Sequence, residues 1–314
     1  MLLECVPNVS EGRDAALIAR LADAAGRDAA LLDRSSDPDH HRTVLTLAGS
    51  PQALHHALLR LYEVALAGID LRRHQGVHPR LGAVDVVPFV PLGSTPTAVA
   101  VAAAERLGAA VAERFGLPVW LYEEAARPGR RRALPAIRRG GLDGLARRLA
   151  AGERPDFGPA ALHPTAGATV IGARPILIAF NVVLASDDLA LARRIAAAVR
   201  QRAPGGLPAV RALGVPLPQR GLVQVSMNLL DYRRTPPRAA FDRVRAAAAA
   251  SGVRVLESEL VGLVPRAALS EEDAEHVRLR EFSPERYLET RLAAAGLAAA
   301  SGGDEKGIDR PANP

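Results

Sequence analysis

The sequence predicts an α+β, two-layer α/β protein built as two ferredoxin-like βαββαβ subdomains that face each other across a ligand cleft. Three observations carry this. Residues 176–258 alternate apolar runs with alanine-rich segments in the order strand, helix, strand, strand, helix, strand. The first half reads as a similar unit with an extra helix and strand. Between them, residues 155–169 hold prolines and glycines that rule out regular structure, yet also Phe157, Leu162 and His163. A plain linker is polar; this one reads as an ordered loop where an interdomain cleft would lie. The expected division is 1–166, 167–300 and a disordered tail over 301–314.

In chain order, residues 2–6 read as a strand ended by Pro7. Pro7 to Gly12 is a polar turn in which Asn8, Ser10 and Glu11 either bind a ligand or form the turn; taken alone, it reads better as a turn. Asp14 is placed to start an Ala/Leu helix. A strand at 29–33 leads through a segment with Asp37, Asp39, His40, His41 and Arg42 to a strand at 44–48. Imidazole and carboxylate suggest a metal. Adjacent histidines on an extended chain point to opposite faces, however, and no HExxH-type spacing completes a site. The cluster therefore reads as ligand hydrogen bonding, with no metal. A helix spans about 52–67, and its His55 and His56 read as structural.

His74 to Arg80 carries two histidines, an arginine and a glycine, and feeds an apolar β-branched run over 84–90. Pro79 disfavours helix at His78. A loop entering a rigid core strand holds side chains at fixed angles, and histidine exchanges protons near neutral pH. On spacing alone, catalytic and merely structural roles for His74 and His78 stand about even. A helix over 97–115 and a strand over 118–122 follow. The arginine-rich 127–154 reads as a surface helix with solvated charges. The second half gives strands at 176–184, 209–217, 222–229 and 253–258, with helices from Asp188 and near Thr235.

Net charge is +6 over 314 residues, but the 40 basic residues are arginines except Lys306 and are scattered among acids. No aromatic stacking motif accompanies them, so nucleic acid is not the expected partner. A positively charged cleft for a small polycarboxylate fits the same composition. One cysteine, Cys5, fits a reducing compartment, and with no leader or membrane-length apolar run the expectation is a cytoplasmic enzyme.

Seven stretches taken together resemble glutamate formimidoyltransferases, the transferase half of formiminotransferase-cyclodeaminase. They are ECVPNVSEGR (4–13), LLDRSSDPDHHRTV (31–44), RHQGVHPRLGAVDVVPFVP (73–91), PVWLYEEAA (118–126), PDFGPAALHPTAGATVIGARPILIAFNV (155–182), VQVSMNLLDY (223–232) and ESELVGLVP (257–265). The resemblance implies transfer of the formimino group of N-formimidoyl-L-glutamate to N5 of tetrahydrofolate in histidine breakdown, with tetrahydrofolate as co-substrate. It places the acid/base on His78. It places the folate loop on Gly158, Pro159, Ala160, Ala161, Leu162, His163, Pro164, Thr165, Ala166 and Gly167. It also implies a homodimer, with a separate cyclodeaminase downstream and no nucleic-acid or membrane partner. Substrate contacts are expected among Asn8, Ser10, Glu11, His40, His41, Arg42, His74, Arg80 and Asp85, with Arg42 and Arg80 suited to carboxylates. Val77, where relatives often carry glutamate, and Ala166, in place of a bulkier residue, are departures. Three other readings predict different chemistry: a 5-formyltetrahydrofolate–glutamate formyltransferase, a non-catalytic folate binder, and a metal hydrolase using Asp37, Asp39, His40 and His41.

Overall fold

The computed structural model describes residues 1–77, 79–129 and 132–297. The first half runs β1 (Leu3–Cys5), β2 (Asn8–Val9), α1 (Ala15–Gly26), β3 (Ala30–Asp37), β4 (Arg42–Gly49), α2 (Pro51–Gly68), β5 (Val84–Pro91), α3 (Thr97–Phe115), β6 (Val119–Glu123), α4 (Leu134–Ile137), α5 (Gly141–Ala150) and β7 (Thr169–Ala173). These strands make a seven-stranded sheet in which β1 and β2 share one position between β4 and β5. Antiparallel β3, β4, β1/β2 and β5 form the ferredoxin-like part, and parallel β7 and β6 extend it. The interruption at Pro7 does not end the first strand, because β2 resumes the ladder at Asn8 opposite Val44.

The second half runs β8 (Ile178–Leu184), α6 (Leu189–Val199), β9 (Val210–Leu217), β10 (Leu222–Leu229), α7 (Pro237–Ala249), β11 (Val255–Val261), α8 (Glu271–His276) and α9 (Leu288–Ala294). Its sheet is fully antiparallel in the order β11-β8-β10-β9, the expected βαββαβ arrangement. By hydrogen bonding, β7 belongs to the first sheet, so the sheets divide between Ala173 and Ile178 and not at 166/167. The loop before β7 is thus inside the first unit rather than between the two. The tail at 301–314 lies outside the described residues.

Each sheet buries one face under helices. Leu3, Cys5, Leu45, Leu47, Val87, Phe89 and Ile171 pack against α1, α2 and α3. Phe180, Val182, Val225 and Met227 share a second core with residues of α6 and α7, such as Ile195, Phe241 and Val244. Period-two alternation puts the intervening residues on the opposite faces. On the second sheet those are Asn181, Gln224, Ser226, Asn228, Glu257 and Glu259. On the first they include Glu4, Asn8, Arg42 and Thr46. These polar faces meet: Gln224 reaches His40, Arg211 pairs with Glu123 at 3.1 Å, and the Gln219 N–H donates to Asp39 at 3.3 Å. Leu288 and Leu292 of α9 return to the first sheet against Leu32, Ala48 and Val90, and Arg291 Nε donates to the Leu32 carbonyl at 2.6 Å. Among the described residues, no helix is long and apolar enough to cross a membrane.

Candidate active site

The β3–β4 hairpin positions the first group. Strand pairing continues to Asp37 opposite Arg42, leaving Pro38 to His41 as the tip. Among its residues His41 adopts φ +48°, uncommon for a residue with a side chain. His40 is 2% exposed. Burial lowers its pKa, which favours the neutral ring. Its Nδ1 then donates to Asp37, 3.1 Å away, and its Nε2 accepts from the Gln224 amide at 3.2 Å. His41 points elsewhere: it stacks on His74 with ring centroids 4.0 Å apart, and its Nδ1 accepts the Gly12 N–H at 3.0 Å. That N–H also lies 2.8 Å from Glu11 Oε1. Burial lowers the pKa of His41 too, so a shared donor describes this contact better than an ion pair. The two histidines serve different partners because they lie in the hairpin tip, where His41 turns back at positive φ; the chain there is not the extended strand in which alternation would separate them.

His74 donates from Nε2 to the His41 carbonyl at 3.0 Å, and its Nδ1 is buried without a partner. Burial, with the Arg80 guanidinium and His41 adding to it, pushes its pKa down to about 4. It is a neutral spacer at physiological pH. His78 lies outside the described residues. On either side of it, the Val77 N–H donates to the Asp39 carbonyl at 3.2 Å and Gly82 forms a bridge with Gly167. A Cβ on Gly82 would collide with the Ala168 carbonyl oxygen, so only glycine allows these two segments to approach.

Asn8, Ser10 and Glu11 serve the backbone, which is the turn alternative. Asn8 Nδ2 donates to the Val6 carbonyl at 3.0 Å, and Ser10 Oγ to the Gly82 carbonyl at 2.7 Å. Glu11 Oε1 accepts the N–H groups of Gly12, Arg13 and Asp14 at 2.8, 2.7 and 3.0 Å. Asp85, 2% exposed, accepts the Leu81 N–H at 2.7 Å and forms an ion pair with Arg138. Arg80 donates to the Gly76 carbonyl at 2.9 Å. Burial, then the neighbouring Arg138 guanidinium, pushes the Arg42 pKa down to about 10. Arg138 corrects the expectation of solvated charge over 127–154, because the chain there forms two helices, α4 and α5, whose junction turns Arg138 inward.

The loop from Gly158 to Gly167 has two parts. Gly158, Pro159, Ala160 and Ala161 are exposed, with Leu162 half-buried. His163 to Gly167 closes on itself: His163 and Gly167 exchange N–H bonds at 2.8 and 3.0 Å, and His163 Nδ1 accepts from Ala166 at 3.0 Å. Ala166 is 1% exposed in the core and Gly167 is buried, whereas Pro164 is exposed like the earlier half of the loop. Sequence reasoning missed Arg138 and the facing residues Gln224, Asn181 and Glu259, the last two bonded at 3.2 Å. Gln224, Ser226 and Asn228 did carry a signal, because they alternate with Val223, Val225 and Met227. Arg138 carried none.

Residues 2–174 match the formiminotransferase domain, N-terminal subdomain, and residues 179–285 match the formiminotransferase domain. A glutamate formimidoyltransferase of Thermoplasma acidophilum is 42% identical over 299 residues, covering 94% of this chain and 98% of that protein. One of Streptococcus pyogenes is 37% identical over 284 residues, covering 90% and 95%. The formimidoyltransferase-cyclodeaminase of Gallus gallus is 42% identical over 276 residues, covering 85% of this chain and 51% of that protein.

Proposed function

Because the chain belongs to the formiminotransferase family, we propose that it transfers the formimino group of N-formimidoyl-L-glutamate to N5 of tetrahydrofolate. It is a folate-dependent transferase, and His78 is the proposed general acid and base. N5 attacks the amidine carbon and a tetrahedral intermediate forms. A proton leaves N5, another reaches the glutamate nitrogen, and the bond from that nitrogen to the carbon breaks. One histidine serves both proton transfers, a contribution of about 10²–10⁴ in rate.

The histidine assignment is carried by the family match over residues 2–174, which spans His78, and it is supported by burial lowering the pKa of His40, His41 and His74, which suits them poorly to carrying a proton near neutral pH. His40, His41, His74 and His163 each hold backbone or side-chain partners through a ring nitrogen. The exposed Gly158 to Ala161 edge supports a folate-facing role for that loop. The reading includes a homodimer in the cytoplasm.

Calorimetric titration with tetrahydrofolate, followed by a formimidoylglutamate assay on the same sample, tests the proposal. Binding with transfer supports it. Binding without transfer moves the donor to a formyl compound, the alternative consistent with Val77. Absence of folate binding overturns it.

A further inference from the structure

The tip of the β3–β4 hairpin, Pro38 to His41, supports the loop that leads to His78. The Asp39 carbonyl accepts the Val77 N–H at 3.2 Å, and the His41 carbonyl accepts from His74 Nε2 at 3.0 Å. The rings of His41 and His74 stack, and a Cβ on Gly76 would fall 2.6 Å from the His40 carbonyl oxygen. The loop's other bonds are local, from His74 to Leu71 and from Arg80 to Gly76, so it is placed only as well as the tip is. The tip in turn is held from the second subdomain. Gln224 of β10 donates to His40 Nε2 at 3.2 Å, and the Gln219 N–H, in the turn between β9 and β10, donates to Asp39 at 3.3 Å. His40 and Gln224 are 2% and 1% exposed, so their bond lies in a low-dielectric interior. His40 is expected from the sequence to touch substrate; buried here, it acts through its neighbours instead.

We propose that Gln224 and His40 are positioning residues, a bridge through which the second subdomain fixes the 74–77 loop that precedes His78. The catalytic consequence rests on the reading of His78 as acid and base. Burial favours the neutral ring of His40, and Asp37 beside Nδ1 selects the tautomer whose Nε2 is the acceptor that Gln224 needs. Placement matters to a proton carrier as much as its chemistry does, since a displacement of about 1 Å costs up to about 10²-fold in rate.

Gln224→Leu removes the donor and keeps much of the volume. His40→Asn keeps a donor for Asp37 but falls short of Gln224. His40→Gln keeps the reach to Gln224 and gives up the Nδ1 contact, while Asp37 still accepts the His40 backbone N–H at 2.8 Å. Native-state hydrogen exchange of the Val77 amide reads the placement of the loop directly. Gln224→Leu and His40→Asn are expected to speed that exchange about tenfold, the range of one buried hydrogen bond, while the amides of β5 and β8 stay protected as in wild type. Both should lower kcat for formimino transfer about 10- to 100-fold, with Kd for tetrahydrofolate within about twofold. The double variant should lose no more than either single one, because both cut the same bond, and His40→Gln should keep kcat within about threefold of wild type. Unchanged Val77 exchange in folded Gln224→Leu would overturn the proposal. So would exchange that rises alike through both sheets with folate affinity falling in parallel, which marks a merely structural role. If His78→Gln turns over like wild type, the acid/base reading falls, and Val77 exchange still decides the positioning role.

Discussion

Replacing Glu4 by glutamine tests how the space between the sheets treats charge. Glu4 lies on β1 opposite Ala48 and Val90, on the face turned toward the second sheet, and is 6% exposed. Burial pushes its carboxyl from the ordinary 4.5 up to about 7, against the lowering field of Arg174. A raised value means that the folded protein holds this proton more tightly than the unfolded chain. The resulting stabilisation is complete below pH 4.5 and is lost as pH rises through about 7. From 4.5 to about 7, at roughly 1.36 kcal/mol for each pH unit, the loss amounts to about 3 kcal/mol. Glutamine has nearly the same shape and cannot ionise. Glu4→Gln should match wild type near pH 5 and exceed it at pH 8 by up to about 3 kcal/mol, several degrees in Tm. Urea and thermal unfolding of both proteins from pH 5 to pH 8 measure this. A variant less stable than wild type at pH 8 would refute the reasoning, since Glu4 would then be an anion whose pairing with Arg174 outweighs its desolvation.

Gly82→Ala drives a Cβ into the Ala168 carbonyl and should cost about 2–4 kcal/mol in urea unfolding, with weaker folate binding as the Gly82–Gly167 bridge opens. Leu288→Ala and Leu292→Ala each empty a pocket between α9 and the first sheet and should cost about 2–5 kcal/mol. Urea midpoints check this, and an unchanged midpoint would mean that α9 does not hold the two sheets together. His74, with its pKa pushed down to about 4, favours the neutral ring in the fold. Its contribution is present above pH 6.5 and lost as pH falls toward 4, so His74→Gln should flatten that acid limb of the stability profile.

The elements legible in the sequence were those whose periodicity matched their burial. Thr97–Phe115 and Leu222–Leu229 appear at the expected bounds, because one is a helix with a single apolar stripe and the other a strand with strict alternation. Strand β7 was hidden by the glycine-rich loop before it and by Gly172 within it. Gly172 is there because the Tyr122 ring and carbonyl occupy the place of its side chain, a constraint that only the paired strand reveals. The histidines of the site were visible as residue types but not as partners. His40 reaches Gln224 across 184 positions of chain, and no local pattern encodes that contact. Arg138 stood in a run of arginines that reads as solvated surface, and only the turn between α4 and α5 brings it to Asp85.

The most direct test of the proton-transfer assignment is steady-state formimino transfer by wild type and His78→Gln, with tetrahydrofolate binding measured on the same samples. The expected result is folate affinity near wild type with kcat reduced at least about 100-fold. Wild-type turnover in a folded, folate-binding His78→Gln protein would contradict it.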